Sequence, residues 1–469
     1  MLRIAGGTIV TPDAVFRGDV LTDGAQIAAI GRVDGAGATP VPADGCLVLP
    51  GVIDCHVHYL LTSGAYTTRD DFASASRAAA AGGVTTAIDY VSQRKGEGFQ
   101  AAIAARRAEA DGQVYIDYGL HLIVTDIGAG QLDEVPAVVA AGVPSAKVYT
   151  TYKASGFYLD DWSWYRLLQR AAAAGMLVTV HAENDDLLEG RKAELVRAGA
   201  TSLRHHAEAR PTLAEVEAVQ RGLLLARSAG APVYFVHLSS AASVDAVREA
   251  RRAGQRAFAE TCPHYLTLTD AVYAGPHPER YLMTPPLRGL AEQEGLWRAL
   301  AAGAIDCVGS DHCGYALDQR VGLDFTQVSP GIPGTEMLLT LLYSEGVARG
   351  RITPSQLVRV LADTPARLFG LYPRKGVIAP GADADLVIYD PTERWTVTAE
   401  ALHSRAGYSP YEGLVVQGRV RTTISRGEIV YDRGQFTGAP GRGRFVPGQP
   451  FDRTAASGGE PSGREERAT

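Results

Sequence analysis

The chain has 469 residues, 46% of them hydrophobic and 21% charged, and a formal net charge of −7. That is ordinary globular content with ample length for a large core, and an acidic balance without a long basic run disfavours nucleic acid or an anionic membrane surface as partner. The start, Met1-Leu2-Arg3-Ile4-Ala5-Gly6-Gly7, has no charged region followed by a long apolar segment, and no run of about 18 apolar residues occurs, so the expectation is a soluble cytoplasmic protein. Cys46, Cys55, Cys262, Cys307 and Cys313 are scattered without C-x-x-C spacing and are expected to be free thiols.

Residues 1–50 carry short alternating runs (Leu2 and Ile4, Thr8-Ile9-Val10, Gln26-Ile27-Ala28-Ala29-Ile30) between Gly and Asp turns, which predicts a small antiparallel unit. The stretch Leu49-Pro50-Gly51-Val52-Ile53-Asp54-Cys55-His56-Val57-His58 reads as a buried strand. Its two histidines, two residues apart, face the same way, as a metal-ligand pair does. Apolar runs at 84–90, 118–123, 145–149, 177–181, 233–237 and 305–311 predict further strands. Ala/Leu/Arg-rich stretches at 71–81, 162–174, 212–229, 240–253 and 291–302 predict helices between them. Alternating β and α over 51–375, with chemistry-bearing residues at strand ends, predicts an α/β fold, a (β/α)8 TIM-like barrel, with a doubly wound open sheet as the alternative. Residues 376–437 return to short strands, so 1–50 and 376–437 are expected to form one composite β-sandwich domain. The extension 438–469, rich in Gly, Pro, Ser, Arg and Glu, is expected to bury little apolar surface and to be disordered from about residue 455.

A closed barrel would aim His56, His58, Lys147, His181, His237 and Asp311 at one mouth. Four histidines and a carboxylate suffice for two metal ions with a shared ligand. Singly, His181 and His237 read as hydrogen-bonded core histidines, but the repeated placement at strand ends favours ligands. Lys147 beside divalent cations would have its pKa driven down, and a neutral amine with carbon dioxide gives a carbamate, an anion longer than glutamate that could bridge two metals. A snorkelling or salt-bridged lysine is the other reading, and the pattern leaves both open.

The ordered motifs are Pro50-Gly51-Val52-Ile53-Asp54-x-His56-x-His58, Gly82-Gly83-Val84-Thr85-Thr86, Lys147-Val148 with Tyr152-Lys153, His181-Ala182-Glu183-Asn184, Val236-His237-Leu238-Ser239, Glu260-Thr261-Cys262-Pro263-His264-Tyr265-Leu266, Pro285-Pro286-Leu287-Arg288 and Gly309-Ser310-Asp311-His312. Together, over residues 1–437, they resemble the cyclic amidohydrolase superfamily and within it the dihydropyrimidinase and hydantoinase family. The resemblance implies a binuclear zinc hydrolase that opens a small cyclic amide or ureide, a dihydropyrimidine or a 5-substituted hydantoin, to an N-carbamoyl amino acid through a metal-bridging hydroxide. His56, His58 and Asp311 would hold one Zn2+, His181 and His237 the other, and N6-carboxylated Lys147 would bridge them. Tyr152 would donate to the oxyanion, and Asp311 would carry the proton to the leaving nitrogen. A homo-oligomer, tetramer or dimer, is also implied.

Family members hold the ring through backbone groups of a serine before Pro-Pro-Leu-Arg and an asparagine before Gly-x-Pro-Gly. Here Thr284 and Pro330 stand at those places, and the fixed φ and missing N–H of Pro330 restrict that contact. His264 is as common in allantoinase-like and dihydroorotase-like relatives, so allantoinase-like or cyclase chemistry is the alternative, and a non-catalytic scaffold of the same fold is a third reading. Cys313 reads as a structural thiol, with a pocket-facing place as the alternative. His121, His205, His206, His277 and His403 read as structural or surface residues, and residues 61–66 as a lid that selects substituents.

Overall fold

We describe the protein from a computed structural model, over residues 1–64, 66–128 and 130–451. The amino-terminal end forms β1 (Leu2–Val10), β2 (Val15–Asp23), β3 (Gln26–Gly31), β4 (Thr39–Pro42) and β5 (Leu47–Pro50). The chain then enters β6 (Val52–Val57), makes a small hairpin of β7 (Thr62–Ser63) and β8 (Tyr66–Thr67), and continues through β9 (Val84–Ser92), β10 (Asp117–Ile123), β11 (Ser145–Tyr149), β12 (Leu177–His181), β13 (Val233–Phe235), β14 (Ala257–Thr261) and β15 (Cys307–Val308). These strands, apart from the hairpin, form one parallel sheet in the order β15-β14-β13-β12-β11-β10-β9-β6. A parallel bridge from Val57 to His312 draws its two edges together into a nearly closed barrel. Every residue of β10 to β14 is buried, as parallel strands covered by helices on one side and packed side chains on the other require.

The barrel reading of the sequence therefore holds, with one strand unforeseen. β14 offers only Ala257, Phe258 and Ala259 as an apolar run after a stretch of Arg, Gly and Gln, too short for a period-two signal. Two other strands are shorter than the apolar runs that predict them. The regular strands end at Phe235 and Val308, single backbone bonds follow from Val236 to Val180 and from Gly309 to Thr261, and the chain turns to positive φ at His237 (40°) and Asp311 (50°).

The carboxy-terminal strands β16 (Leu386–Thr396), β17 (Val415–Ser425), β18 (Glu428–Asp432) and β19 (Gln435–Phe436) join the first five in a separate mixed sheet, ordered β19-β18-β17-β16-β5-β1-β2-β3 with β4 on β1. The junction is antiparallel, Val387 of β16 opposite Leu49 of β5. Ile4, Ile9, Val20, Ile27, Val48, Leu386, Ile388 and Ile424 form its core, drawn from both chain ends.

Lys375 pins this sheet to the barrel. Its Nζ lies 2.7 Å from Asp117 at the start of β10, 2.6 Å from Asp385 and 2.9 Å from Asp383, all buried. Burial would lower this ammonium, and the three carboxylates instead hold it above the usual lysine range. Arg426 also pairs with Asp117 and Arg374 with Asp383, so Lys375→Met should leave chiefly Asp385 buried without a cation and lower stability by about 3–5 kcal/mol, read as a fall in the urea midpoint.

The extension departs from expectation as far as Phe451. Val446 and Phe451 are buried with Ile53, Phe258, Phe369 and Leu371. The segment is tied on by Val446 N–H to the Tyr118 carbonyl (2.8 Å) and Phe451 N–H to the Gly175 carbonyl (2.7 Å). Two apolar residues suffice once backbone bonds fix the rest. The disorder expected from about residue 455 lies outside the described residues.

Candidate active site

Strand geometry brings the candidate ligands together. His56 stands near the end of β6 and His58 just beyond it, so period-two alternation sends both rings inward. Lys147 is paired with Thr179 across β11 and β12, and His181, the last residue of β12, is paired with Tyr149. Nε2 of His56 and of His58 lie 3.2 and 3.3 Å from Oδ1 of Asp311. Two ligands on a tetrahedral ion with bonds of about 2.0–2.1 Å sit roughly 3.3 Å apart, so this spacing fits a bound cation. The ligand atoms of all three residues lie within 4.8 Å of one another. Nδ1 of His181 is 2.9 Å from Nε2 of His237, and the His237 and His56 ring centroids are 5.3 Å apart. Nζ of Lys147 is 3.0 Å from Nε2 of His56.

Burial sets the protonation of this cluster. It pushes His58 down to about 4, and His56, His181 and His237 below the ordinary imidazole value, which keeps the rings in the neutral form that binds metal. It also pushes the Lys147 amine down to about 8. Tyr152, His237 and Asp311 all have positive φ (68°, 40° and 50°), backbone strain of the kind that collects at functional sites. Gly309 allows the close approach of the last strand, since a Cβ there would lie 2.7 Å from the His56 Cβ.

A layer of carboxylates orients the imidazoles. Oε1 of Glu260 is 2.6 Å from Nδ1 of His56 and accepts the His237 N–H at 3.0 Å, while its Oε2 accepts the Tyr234 hydroxyl at 2.8 Å. Oε2 of Glu183 is 2.8 Å from Nε2 of His181, and Arg210 grips the same carboxylate. Burial would raise Glu183, but Arg210 and His181 hold it well below the usual carboxylate range. Asp54 accepts the Ser310 N–H at 3.0 Å and so ties β6 to the segment bearing Asp311. Sequence reasoning quoted Glu183 and Glu260 only as parts of motifs. The available signal for Glu183 was its place two residues after His181, on the same face of the chain. Glu260→Gln should weaken metal retention about 10–100-fold in chelator competition, because His56 loses its anionic anchor.

A cavity of about 670 Å³ opens over this cluster, lined by His58, Lys147, His181, His237 and Asp311 at its floor. Tyr152, Thr284 and Pro330 line its walls, and the Tyr152 hydroxyl meets Thr284 Oγ1 at 2.5 Å. Leu61, Ser63, Gly64 and Tyr66, in and beside the β7–β8 hairpin, also line it. Cys313, a buried free thiol, also lines it.

His206, read from the sequence as structural or surface, also lines the cavity. It is buried, and its Nε2 sits 2.8 Å from the carbonyl of Met283, next to Thr284. No motif marks it, and only the fold brings residues 206 and 283 together. His121 lies deeper in the barrel, held by Ser145 and the Cys55 carbonyl. His205, His277 and His403 pair with Glu208, Glu279 and Glu336.

Comparison with known proteins agrees with this geometry. Residues 47–430 match the model of the Amidohydrolase family. D-phenylhydantoinase of Escherichia coli K12 is 40% identical over 459 residues, covering 96% of this chain and 98% of that protein. The crystal structure of dihydropyrimidinase from Brevibacillus agri superposes with a TM-score of 0.94 at 39% identity, covering 96% of this chain and 99% of that one. D-hydantoinase from Bacillus sp. AR9 gives a TM-score of 0.94 at 40% identity, covering 97% and 100%. With the histidine and aspartate cluster at the barrel mouth and this likeness along nearly the whole chain, the protein belongs to the amidohydrolase family, among its hydantoinases and dihydropyrimidinases.

Proposed function

We propose that this enzyme opens a dihydropyrimidine or a 5-substituted hydantoin to an N-carbamoyl amino acid, with two zinc ions per chain. His56, His58 and Asp311 would hold one, His181 and His237 the other, and carboxylated Lys147 both. The observation that carries the reading is the convergence of these six side chains, five of which line one cavity with Tyr152, Thr284 and Pro330 while His56 lies buried against Lys147 and Asp311. The names of the relatives supply the two substrate classes. The chemistry these residues would gain from bound cations is a more acidic water and a polarised amide carbonyl.

The remaining work falls to the chain. Oδ1 of Asp311 faces His56 and His58, which leaves Oδ2 to take a proton from the attacking water and return it to the ring nitrogen as the C–N bond breaks. The Tyr152 hydroxyl donates to the oxygen that gains charge. Thr284 and Pro330 hold the ring by main-chain groups. Zinc as the metal, a cytoplasmic location and a homo-oligomeric state, tetramer or dimer, belong to the same proposal and rest on the resemblance of the motifs. Among the described residues no helix is long and apolar enough to cross a membrane.

The test is a panel of hydantoin, 5-phenylhydantoin, dihydrouracil and allantoin with metal-loaded protein. Release of the N-carbamoyl amino acid from a hydantoin or from dihydrouracil is expected. Turnover of allantoin alone would favour the allantoinase-like alternative, and no turnover at all the scaffold.

A further inference from the structure

Behind the wall that carries Pro330 lies Arg320, only 1% exposed. Among the described residues no carboxylate pairs with it. Its fork donates instead to four oxygens. Nη1 reaches the Glu279 carbonyl at 3.1 Å and the Tyr408 hydroxyl at 3.0 Å, and Nη2 reaches the Ser329 carbonyl at 3.1 Å and the Gly331 carbonyl. A buried guanidinium without a counter-charge is costly unless such dipoles satisfy it, and the planar fork fixes where those dipoles stand.

Two of these carbonyls flank Pro330, which faces the cavity. The rest of the segment is equally constrained. The Gly331 N–H donates to the Leu282 carbonyl at 2.7 Å, and the Ile332 carbonyl accepts the Cys313 N–H at 2.8 Å. Gly331 has φ 146°, and a Cβ there would lie 2.5 Å from the Cys313 carbonyl oxygen and 2.7 Å from its Sγ, so the loop is pressed against the wall with no slack. The carbonyls of Ser329, Gly331 and Ile332 all accept, whereas that of Pro330 accepts from no group among the described residues. Proline has no N–H to offer, so the main chain of Pro330 can meet a ring only as an acceptor.

We propose that Arg320 is a positioning residue: by holding the carbonyls on either side of Pro330 it presents the Pro330 carbonyl to the bound ring, which this loop therefore reads as an N–H donor. This deepens the ring-opening reading above and rests on it. The substrate class becomes cyclic ureides unsubstituted at the ring nitrogen that faces Pro330. A methyl group on that nitrogen would remove the donor and leave a buried acceptor without a partner, which should cost at least about tenfold in kcat/KM.

The experiment compares the metal-loaded full chain with Arg320→Met and Arg320→Lys on hydantoin, 1-methylhydantoin and 3-methylhydantoin, with metal content measured alongside. The wild-type protein should reject one methyl analogue by at least about tenfold. In Arg320→Met, KM for hydantoin should rise about tenfold while kcat stays within about threefold, metal content holds, and discrimination against that analogue shrinks by the same factor. Arg320→Lys keeps the charge without the fork, and should recover part of both effects. If the methionine variant does not fold, the lysine variant carries the test through the same shifts at smaller size. Unchanged KM and discrimination in the variants, or a fall in kcat together with metal loss, would overturn the role of Arg320. Equal turnover of all three hydantoins by the wild-type protein would overturn the donor reading. A wild-type protein inert on hydantoins and on dihydrouracil would fail the ring-opening reading itself, and this inference with it.

Discussion

Lys147→Ala should reduce turnover by more than about 10³-fold and strip the protein of most of its metal. The metals that Lys147 would help to hold would have to supply several kcal/mol of transition-state stabilisation, and each 1.36 kcal/mol is a factor of ten in rate. Lys147 lies on β11, 1% exposed, with Nζ 3.0 Å from a His56 nitrogen and over the rings of Tyr90 and Tyr149 at 4.2 and 5.0 Å. An ammonium there would oppose two cations. Burial pushes its pKa down to about 8. At pH 7 about a tenth of such amines are neutral, against fewer than about one in a thousand for an ordinary lysine, and the neutral amine is the form that takes up carbon dioxide. The ammonium gives up one proton to become that amine, and forming the N–C bond to carbon dioxide releases a second, so a positive group would become a carbamate anion longer than glutamate. Alanine removes that anion and leaves a space the length of the side chain, so acetate or propionate should restore part of the activity. Wild-type turnover in the alanine variant would contradict the bridging role.

Tyr152→Phe should lower kcat by about 10²–10³-fold with KM and metal content close to wild type, the pattern of a donor used chiefly in the transition state. The phenol is fixed on three sides: its backbone sits at φ 68°, its hydroxyl is 2.5 Å from Thr284 Oγ1, and Nη2 of Arg210 stands 3.5 Å away. Arg210 also grips Glu183, which holds His181, so the phenol and one candidate metal ligand share a single support. Phenylalanine keeps the ring and the packing while removing only the donor. A kcat within about threefold of wild type would remove Tyr152 from the oxyanion role.

Much of this architecture is legible in the chain because its signals are local. The strand ending in His56 and His58 announces itself by an apolar run and a two-residue spacing, and β11 and β12 begin and end where their apolar runs do. β14 escapes notice because burial on both faces lets three small or aromatic residues suffice. The buried ion cluster at Lys375 is equally silent, since Asp117 and Lys375 meet only once the barrel and the terminal sheet are assembled. Glu260, Arg210, His206 and Arg320 share that condition. Each has at least one partner far along the chain, Tyr408 in the case of Arg320, and a charged or aromatic side chain whose partner is distant reads as surface until the fold is known. The tail to Phe451 misleads for the opposite reason: its composition is that of a solvated segment, and its order comes from hydrogen bonds to barrel backbone that no sequence pattern displays.

Everything turns on paired cations held by one cage of side chains, and counting them is the direct check. Protein produced with zinc and bicarbonate, then freed of loosely bound metal and assayed by elemental analysis, should retain two zinc ions per chain. One ion or none would contradict the account.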